Sequence, residues 1–234
     1  MNAPYAPVGN RILQALPAME RNTLLAQLRP TTLSAKTVIF EPGEAIDSVH
    51  FPLEGVISMV TPLADGIVEV ASIGNEGIVG VPLTHAGVGC VRAVSPLGAQ
   101  TLQMRAATFL AEIERLDTFR LLVERYLLAL FAQISQAAAC NRLHASEQRL
   151  CRWLLMAHDR VGMDTFSVTQ DILAQMLGSR RGTVTLSAQL LQAAGLIAYH
   201  RGRVTIVDRS GLESSCCECY ATLRKALDEV VHSA

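Results

Sequence analysis

The chain lacks several features that would narrow its role quickly. No cysteine precedes Cys90, and the six present, Cys90, Cys140, Cys151, Cys216, Cys217 and Cys219, are sparse for a disulfide scaffold and are expected to be reduced. The longest apolar runs, such as 127–131 and 137–140, fall far short of the roughly 20 residues a membrane helix needs. Residues 1–9 have neither the basic start nor the apolar stretch of a secretory signal, so a cytoplasmic location is expected, with no membrane partner. Twenty Lys and Arg against 21 Asp and Glu leave a net charge of -1, which excludes a chain that is basic throughout. There is no Gly-x-Ser-x-Gly elbow, no phosphate-binding loop ending in Gly-Lys-Ser/Thr and no His-Glu-x-x-His zinc helix. Glu112 and Glu114, two apart on a helix, face apart and make no acid–base pair. No enzyme, catalytic residue, cofactor or metal site is therefore expected.

What is present is a globular composition, 50% hydrophobic, over 234 residues, enough for one large or two modest domains. Residues 10–27 read as helical, with Pro17 breaking the helix or starting its second piece. From 33 to 104 short runs of Val, Ile, Thr and Phe are punctuated by glycines, the texture of an antiparallel barrel or sandwich. Residues 38–40, 49–51, 55–61, 68–73 and 100–104 are the expected strands.

From about Ala107 past His158 the pattern is helical. Leu116, Phe119, Val123, Tyr126, Leu130, Ile134, Ala137 and Asn141 step by threes and fours, an apolar stripe on a helix about 39 Å long. The stripe is expected to be a dimerisation seam, the alternative being a core helix lying along the β-domain. A hinge is expected near 141–145, where the stripe changes register.

Residues 167–208 have the pattern of a winged helix-turn-helix. Val168, Ile172, Leu173, Met176 and Leu177 make one apolar face, Thr169 is an N-cap, and Gly178 suits the left-handed end of the helix. A second helix begins near Arg180 with Val184, Ala188, Leu191 and Ala194 inward, and Gly195 ends it. Two short strands, 196–199 and 203–207, follow, joined by His200, Arg201 and Gly202. A helix fits the major groove and meets base edges with its N-terminal residues. Thr169, Gln170, Arg180, Arg181, Thr183, Thr185, Ser187, Arg201 and Arg203 are the expected DNA contacts. Two-fold symmetry would set a pair of such helices on half-sites about 34 Å apart.

The order of parts, and above all the run 169–185 ending Gly178-Ser179-Arg180-Arg181-Gly182-Thr183-Val184-Thr185, followed by Ala194-Gly195-Leu196-Ile197, resembles the CRP/FNR family of bacterial transcription regulators. Gly43-Glu44 and the run Val49-His50-Phe51-Pro52-Leu53-Glu54-Gly55 are similar to the start of that family's sensory β-roll. The resemblance implies an α+β chain in three parts. Residues 1–114 would form an antiparallel, cyclic-nucleotide-binding-like β-roll with an N-terminal helix, 115–145 a long dimerisation helix and hinge, and 146–234 a winged helix-turn-helix. It also implies a homodimer, a double-stranded DNA operator and RNA polymerase as partners, and a small-molecule effector of unknown identity.

The sequence departs from the family in two places. Members that bind cyclic AMP use a glutamate for the ribose and an arginine, followed by Ser or Thr, for the phosphate. Here Gly80-Val81-Pro82-Leu83 puts a valine where the glutamate belongs, and Arg92 precedes Ala93. Valine accepts no hydrogen bond, so cyclic AMP is not the expected effector. If the pocket is used, Glu76, Gly77, Gly80 and Arg92 are its candidates. In the second helix, Gly182 and Leu186 stand where many members place a glutamate and a second arginine, so the half-site is expected to differ.

Two other readings remain open at this level. Cys216, Cys217 and Cys219 could serve metal or thiol-redox sensing, although Leu212, Cys216, Cys219 or Tyr220, and Leu223 also fall at helical spacing, as apolar packing would have them. An iron–sulfur cluster on cysteines near the N-terminus is excluded by their absence, and haem on His50 or His85 has only lone histidines to offer. A dimeric scaffold without DNA binding would share the long helix but would not require the arginines.

Overall fold

The computed structural model describes residues 9–64, 66–81 and 87–232. Two short helices, α1 (Arg11–Ala15) and α2 (Ala18–Leu25), lead into strands β1 (Arg29–Leu33), β2 (Thr37–Phe40), β3 (Ser48–Gly55), β4 (Ile57–Leu63), β5 (Gly66–Ile73), β6 (Arg92–Ser95) and β7 (Ala99–Arg105). These form two antiparallel sheets, in the orders β1-β7-β3 and β2-β6-β4-β5. Asn10 fastens the N-terminus to this β-roll: its side chain caps α1 through the Leu13 amide and donates to the carbonyls of Pro52 and Gly77.

Helices α3 (Ala106–Arg115), α4 (Asp117–Leu143) and α5 (Ser146–Val161) follow. The helical run breaks at His144 and Ala145, which are both extended, within the expected hinge. The remainder is β8 (Thr165–Ser167), α6 (Gln170–Met176), α7 (Arg181–Ala193), β9 (Ile197–His200), β10 (Arg203–Ile206), α8 (Arg209–Ser214) and α9 (Cys219–His232), with a sheet in the order β8-β10-β9. The helical spacing read across 212–223 is in fact broken between α8 and α9, and α9 packs along α4.

Half of the stripe expected to join two chains is covered by this chain itself, and Leu116, Leu130, Ile134 and Asn141 are left half-buried. Phe119, Val123, Tyr126 and Ala137 are buried in this chain's own core, and Phe119 forms an aromatic cluster with Phe51 and Phe109 at centroid distances of 6.3 and 5.4 Å. The reason is volume together with polar anchoring. The Tyr126 hydroxyl donates to the Ile78 carbonyl at 2.8 Å and Gln133 Nε2 to the Ser72 carbonyl at 2.9 Å, acceptors that the β-roll holds in place. The face of α4 open to solvent is a different one, with Leu121, Leu128, Phe131 and Leu143 as its large apolar residues, Ala132, Ser135, Ala138 and Ala139 as small ones, and Glu124 exposed among them.

Candidate nucleic-acid interface

The reading head is held by short-range chemistry. The Thr169 hydroxyl caps α6 by accepting from the Ile172 amide at 3.2 Å. Gly178 takes a φ of 54° and turns the chain toward α7, the left-handed conformation that ends a helix without a Cβ clash. The turn is braced from outside by Arg149 of α5, which donates to the Leu177 carbonyl at 3.0 Å and to the Ser179 hydroxyl at 2.9 Å. The same guanidinium reaches Asn141 of α4 at 3.4 Å, tying the turn to the end of that helix. Sequence spacing gave no sign of Arg149, because its partners lie 8 to 30 residues away.

Val184, Ala188 and Leu191 fix α7 in the core, whereas Arg180, Arg181, Thr183, Leu186, Gln189 and Leu190 are exposed. Ala194, expected to face inward, lies past the end of α7 and is exposed. Arg181 sits at the first helical position, 3.3 Å from Asp171 in a pair open to solvent. Such exposed pairs are worth about 0–1 kcal/mol, so the guanidinium can exchange partners. Thr185 is partly covered and its hydroxyl lies 2.9 Å from both Gln170 Oε1 and the Arg181 carbonyl. The pair Gln170–Thr185 thus joins α6 to α7. Ser187 is the exception among the expected contacts: it is 1% exposed and its hydroxyl points to Glu147 of α5. Its position three residues after Val184 and four before Leu191 places it on the buried face, a spacing that could have excluded it.

The wing has three strands. Arg201 and Gly202, with φ of 47° and 76°, make a two-residue turn between His200 and Arg203. Arg201 and Arg203 are exposed, and the Tyr199 hydroxyl donates to the Val168 carbonyl at 2.8 Å, holding the hairpin against α6. Arg209 is occupied elsewhere, with Asp159 at 2.7 Å and Glu213 at 3.0 Å. The positive charge on offer is therefore that of Arg180, Arg181, Arg201 and Arg203.

The residues expected to line an effector pocket are each engaged by other parts of the fold. The Glu76 carboxylate is buried and accepts from Arg160 of α5 at 2.6 and 2.9 Å and from the Gly74 amide at 3.0 Å, while Arg160 also donates to the Ser72 hydroxyl at 2.7 Å. Burial alone would raise the carboxyl's pKa, but the charge and hydrogen bonds of Arg160 overcome it and hold Glu76 below the ordinary carboxylate range. Arg92 pairs with Glu41 at 2.8 Å. A Cβ at Gly77 would stand 2.7 Å from the Tyr126 ring, and one at Gly80, where φ is 80°, 2.6 Å from the Ser48 carbonyl oxygen. Both glycines are thus required by packing. Val81 packs against the core beside Ile78. Pro82, Leu83 and His85 lie outside the described residues.

The helix-turn-helix also contacts the β-roll. Trp153 Nε1 donates to the buried Glu69 carboxylate at 3.4 Å, and Val56 and Val60 of the roll share one core with Leu150, Leu154 and Leu173. A Cβ at Gly178 would stand 2.8 Å from the side chain of Val68 on β5.

Comparison with known proteins agrees with this geometry. Residues 148–215 match the family described as a Crp-like helix-turn-helix domain. Among solved structures, FixK2 from Bradyrhizobium japonicum superposes with a TM-score of 0.68 at 12% identity, over 81% of this chain and 98% of that one. A CRP/FNR-family transcriptional regulator from Thermus thermophilus gives 0.62 at 17%, over 80% and 97%. The c-di-GMP responsive global regulator CLP of Xanthomonas campestris gives 0.63 at 16%, over 81% and 99%. No curated protein sequence matches the chain. No helix among the described residues is long and apolar enough to cross a membrane. Residues 148–215 are similar to the Crp-like helix-turn-helix family, and over some four fifths of its length the chain shares the fold of solved CRP/FNR-type regulator structures.

Proposed function

We propose that the protein is a homodimeric, sequence-specific DNA-binding regulator. The observation that carries this reading is α7. One side is fixed in the core by Val184, Ala188 and Leu191, and the other presents Arg180, Arg181 and Thr183 at its N-terminal end beside a wing tipped with Arg201 and Arg203. Arg181 donates to guanine O6 and N7, and Arg180, Arg201 and Arg203 meet phosphates. Thr169, at the head of α6, contacts the backbone, while Gln170 and Thr185 hold the two helices in register. Leu186, 57% exposed, offers an apolar contact to a thymine methyl where many relatives carry an arginine. Arg181→Ala is expected to weaken operator binding by about 1–3 kcal/mol and to relax preference at one base pair. Equal loss on all sequences in a gel-shift series would assign Arg181 to phosphate alone.

Dimerisation places the second reading head, and the open face of α4 carrying Leu121, Leu128 and Phe131 is its contact surface. Cyclic AMP is not the effector in this reading. Glu76 is engaged by Arg160, Arg92 by Glu41, and a valine stands at position 81. Isothermal titration is expected to give no cyclic AMP binding, and a low-micromolar constant would overturn that part. RNA polymerase remains a proposed partner on the strength of the family alone.

A further inference from the structure

Away from the reading head, reactive side chains gather at one place, where the end of α4 meets the segment joining α8 to α9. Cys140 lies in the last turn of α4 and His144 is its C-cap, while Cys217 and Cys219 flank Glu218. The sulfurs of the three cysteines and a ring nitrogen of His144 all lie within 4.8 Å of one another. Cys140 Sγ is 3.7 Å from Cys217 Sγ, and Cys219 Sγ is 3.5 Å from His144 Nδ1. In a tetrahedral site with metal–sulfur bonds of about 2.3 Å and metal–nitrogen bonds of about 2.0–2.1 Å, neighbouring sulfurs stand about 3.8 Å apart and sulfur and nitrogen about 3.6 Å. A disulfide would bring its sulfurs to about 2.05 Å.

The surroundings favour charged ligands. Glu218 Oε1 lies 3.3 Å from His144 Nε2, where its charge favours the tautomer with the proton on Nε2 and the Nδ1 lone pair facing the sulfurs, the usual arrangement of a metal-bound histidine. Gln136 Nε2 donates to Cys219 Sγ at 3.0 Å. Three thiolates and a neutral imidazole around a divalent cation carry one net negative charge. The guanidinium of Arg152, itself buried, lies within electrostatic reach of Cys140 as well as of the buried Glu69. Cys140 and Cys219 are fully covered and Cys217 is 4% exposed, so an ion held here is shielded from water.

We propose that Cys140, His144, Cys217 and Cys219 bind one thiophilic divalent cation of the zinc class, with Glu218 orienting His144 from outside the ligand set. Binding releases the thiol protons and fastens the last helix to the end of α4, beside the hinge at Ala145. Cys216, which the sequence groups with Cys217 and Cys219, is outside the set and points to the Gln148 carbonyl at 3.8 Å. The site is independent of the DNA-binding reading.

The test uses the full chain, purified and kept under reductant without oxygen. Titration with cobalt(II) is expected to give about one equivalent of a tetrahedral, thiolate-ligated species with intense visible bands, displaced by one equivalent of zinc. Zinc is expected to raise the melting temperature, and a chelator to reverse the rise. Cys216→Ser is expected to retain one equivalent, whereas Cys140→Ser and Cys217→Ser each lose it. An octahedral cobalt spectrum, no uptake by the reduced wild-type chain, or unchanged stoichiometry in both ligand variants would each overturn the assignment. The wild-type titration decides even if a variant fails to fold.

Discussion

The two faces of α4 carry the same helical periodicity and have different fates. One face, with Phe119, Val123, Tyr126 and Gln133, is buried against the β-roll, and its two polar members each reach a backbone carbonyl there. The other, with Leu121, Leu128 and Phe131 at 42%, 71% and 68% exposure, leaves its polar members such as Glu124 in solvent and passes into small residues before Leu143 at the end of α4. The difference teaches that three- and four-residue spacing reports how many faces a helix must cover, and that the partner is chosen by volume and by where fixed acceptors lie. A hydroxyl or amide that must be satisfied goes where backbone acceptors are already held. A face whose leucines and phenylalanine stay in solvent leaves apolar surface for a partner to cover.

Breaking the buried face should have the largest effect. Phe119→Ala is expected to cost about 3–5 kcal/mol of unfolding free energy in denaturant titration, through the lost aromatic contacts and the cavity left behind. Acid attacks the same side of the molecule next. Burial lowers the His50 imidazole from 6.5 to about 4, and its ring nitrogens meet the hydroxyls of Ser48 and Thr101, each at 3.2 Å. The unfolded chain therefore binds the proton first as pH falls. The contribution is complete above 6.5 and is lost between 6.5 and 4, amounting to roughly 3 kcal/mol. His50→Gln should flatten that part of the stability curve, and an unchanged slope would locate the acid sensitivity elsewhere. On the open face, Leu128→Asp is expected to weaken self-association by about 2 kcal/mol, roughly 30-fold, in sedimentation experiments, while the monomer unfolds as before. If instead it destabilised the monomer as much as Phe119→Ala does, the contrast between the two faces would collapse.

How much could be read in advance follows from the range of the interactions involved. The reading head was legible because its signals are local: the Thr169 cap, the left-handed Gly178 and the Arg201-Gly202 turn each act within a few residues. Five strands of the roll were visible as apolar runs, but β1 was not. It is an edge strand that contains Pro30 and pairs only with β7, so it needs neither a continuous run nor every amide. The four residues of β6 and three of β8 are too short to show a period. The pairing of Glu76 has no local signal, because the arginine that neutralises it comes 84 residues later. Cys140 and His144 stayed hidden for the same cause, since Cys217 lies 77 residues from Cys140.

The buried contact between Glu76 and Arg160 has a practical consequence for protein engineering. A chimaera that kept this β-roll and took its DNA-reading half from another regulator would strand an uncompensated carboxylate in the interior unless the graft also supplied a guanidinium in the place of Arg160. Removing one partner of a buried pair typically costs about 3–5 kcal/mol, a large part of the stability of an ordinary domain. The two halves are interchangeable only as a matched set, and recombination at the break between α4 and α5 should succeed between parents that share both residues and fail between those that share one.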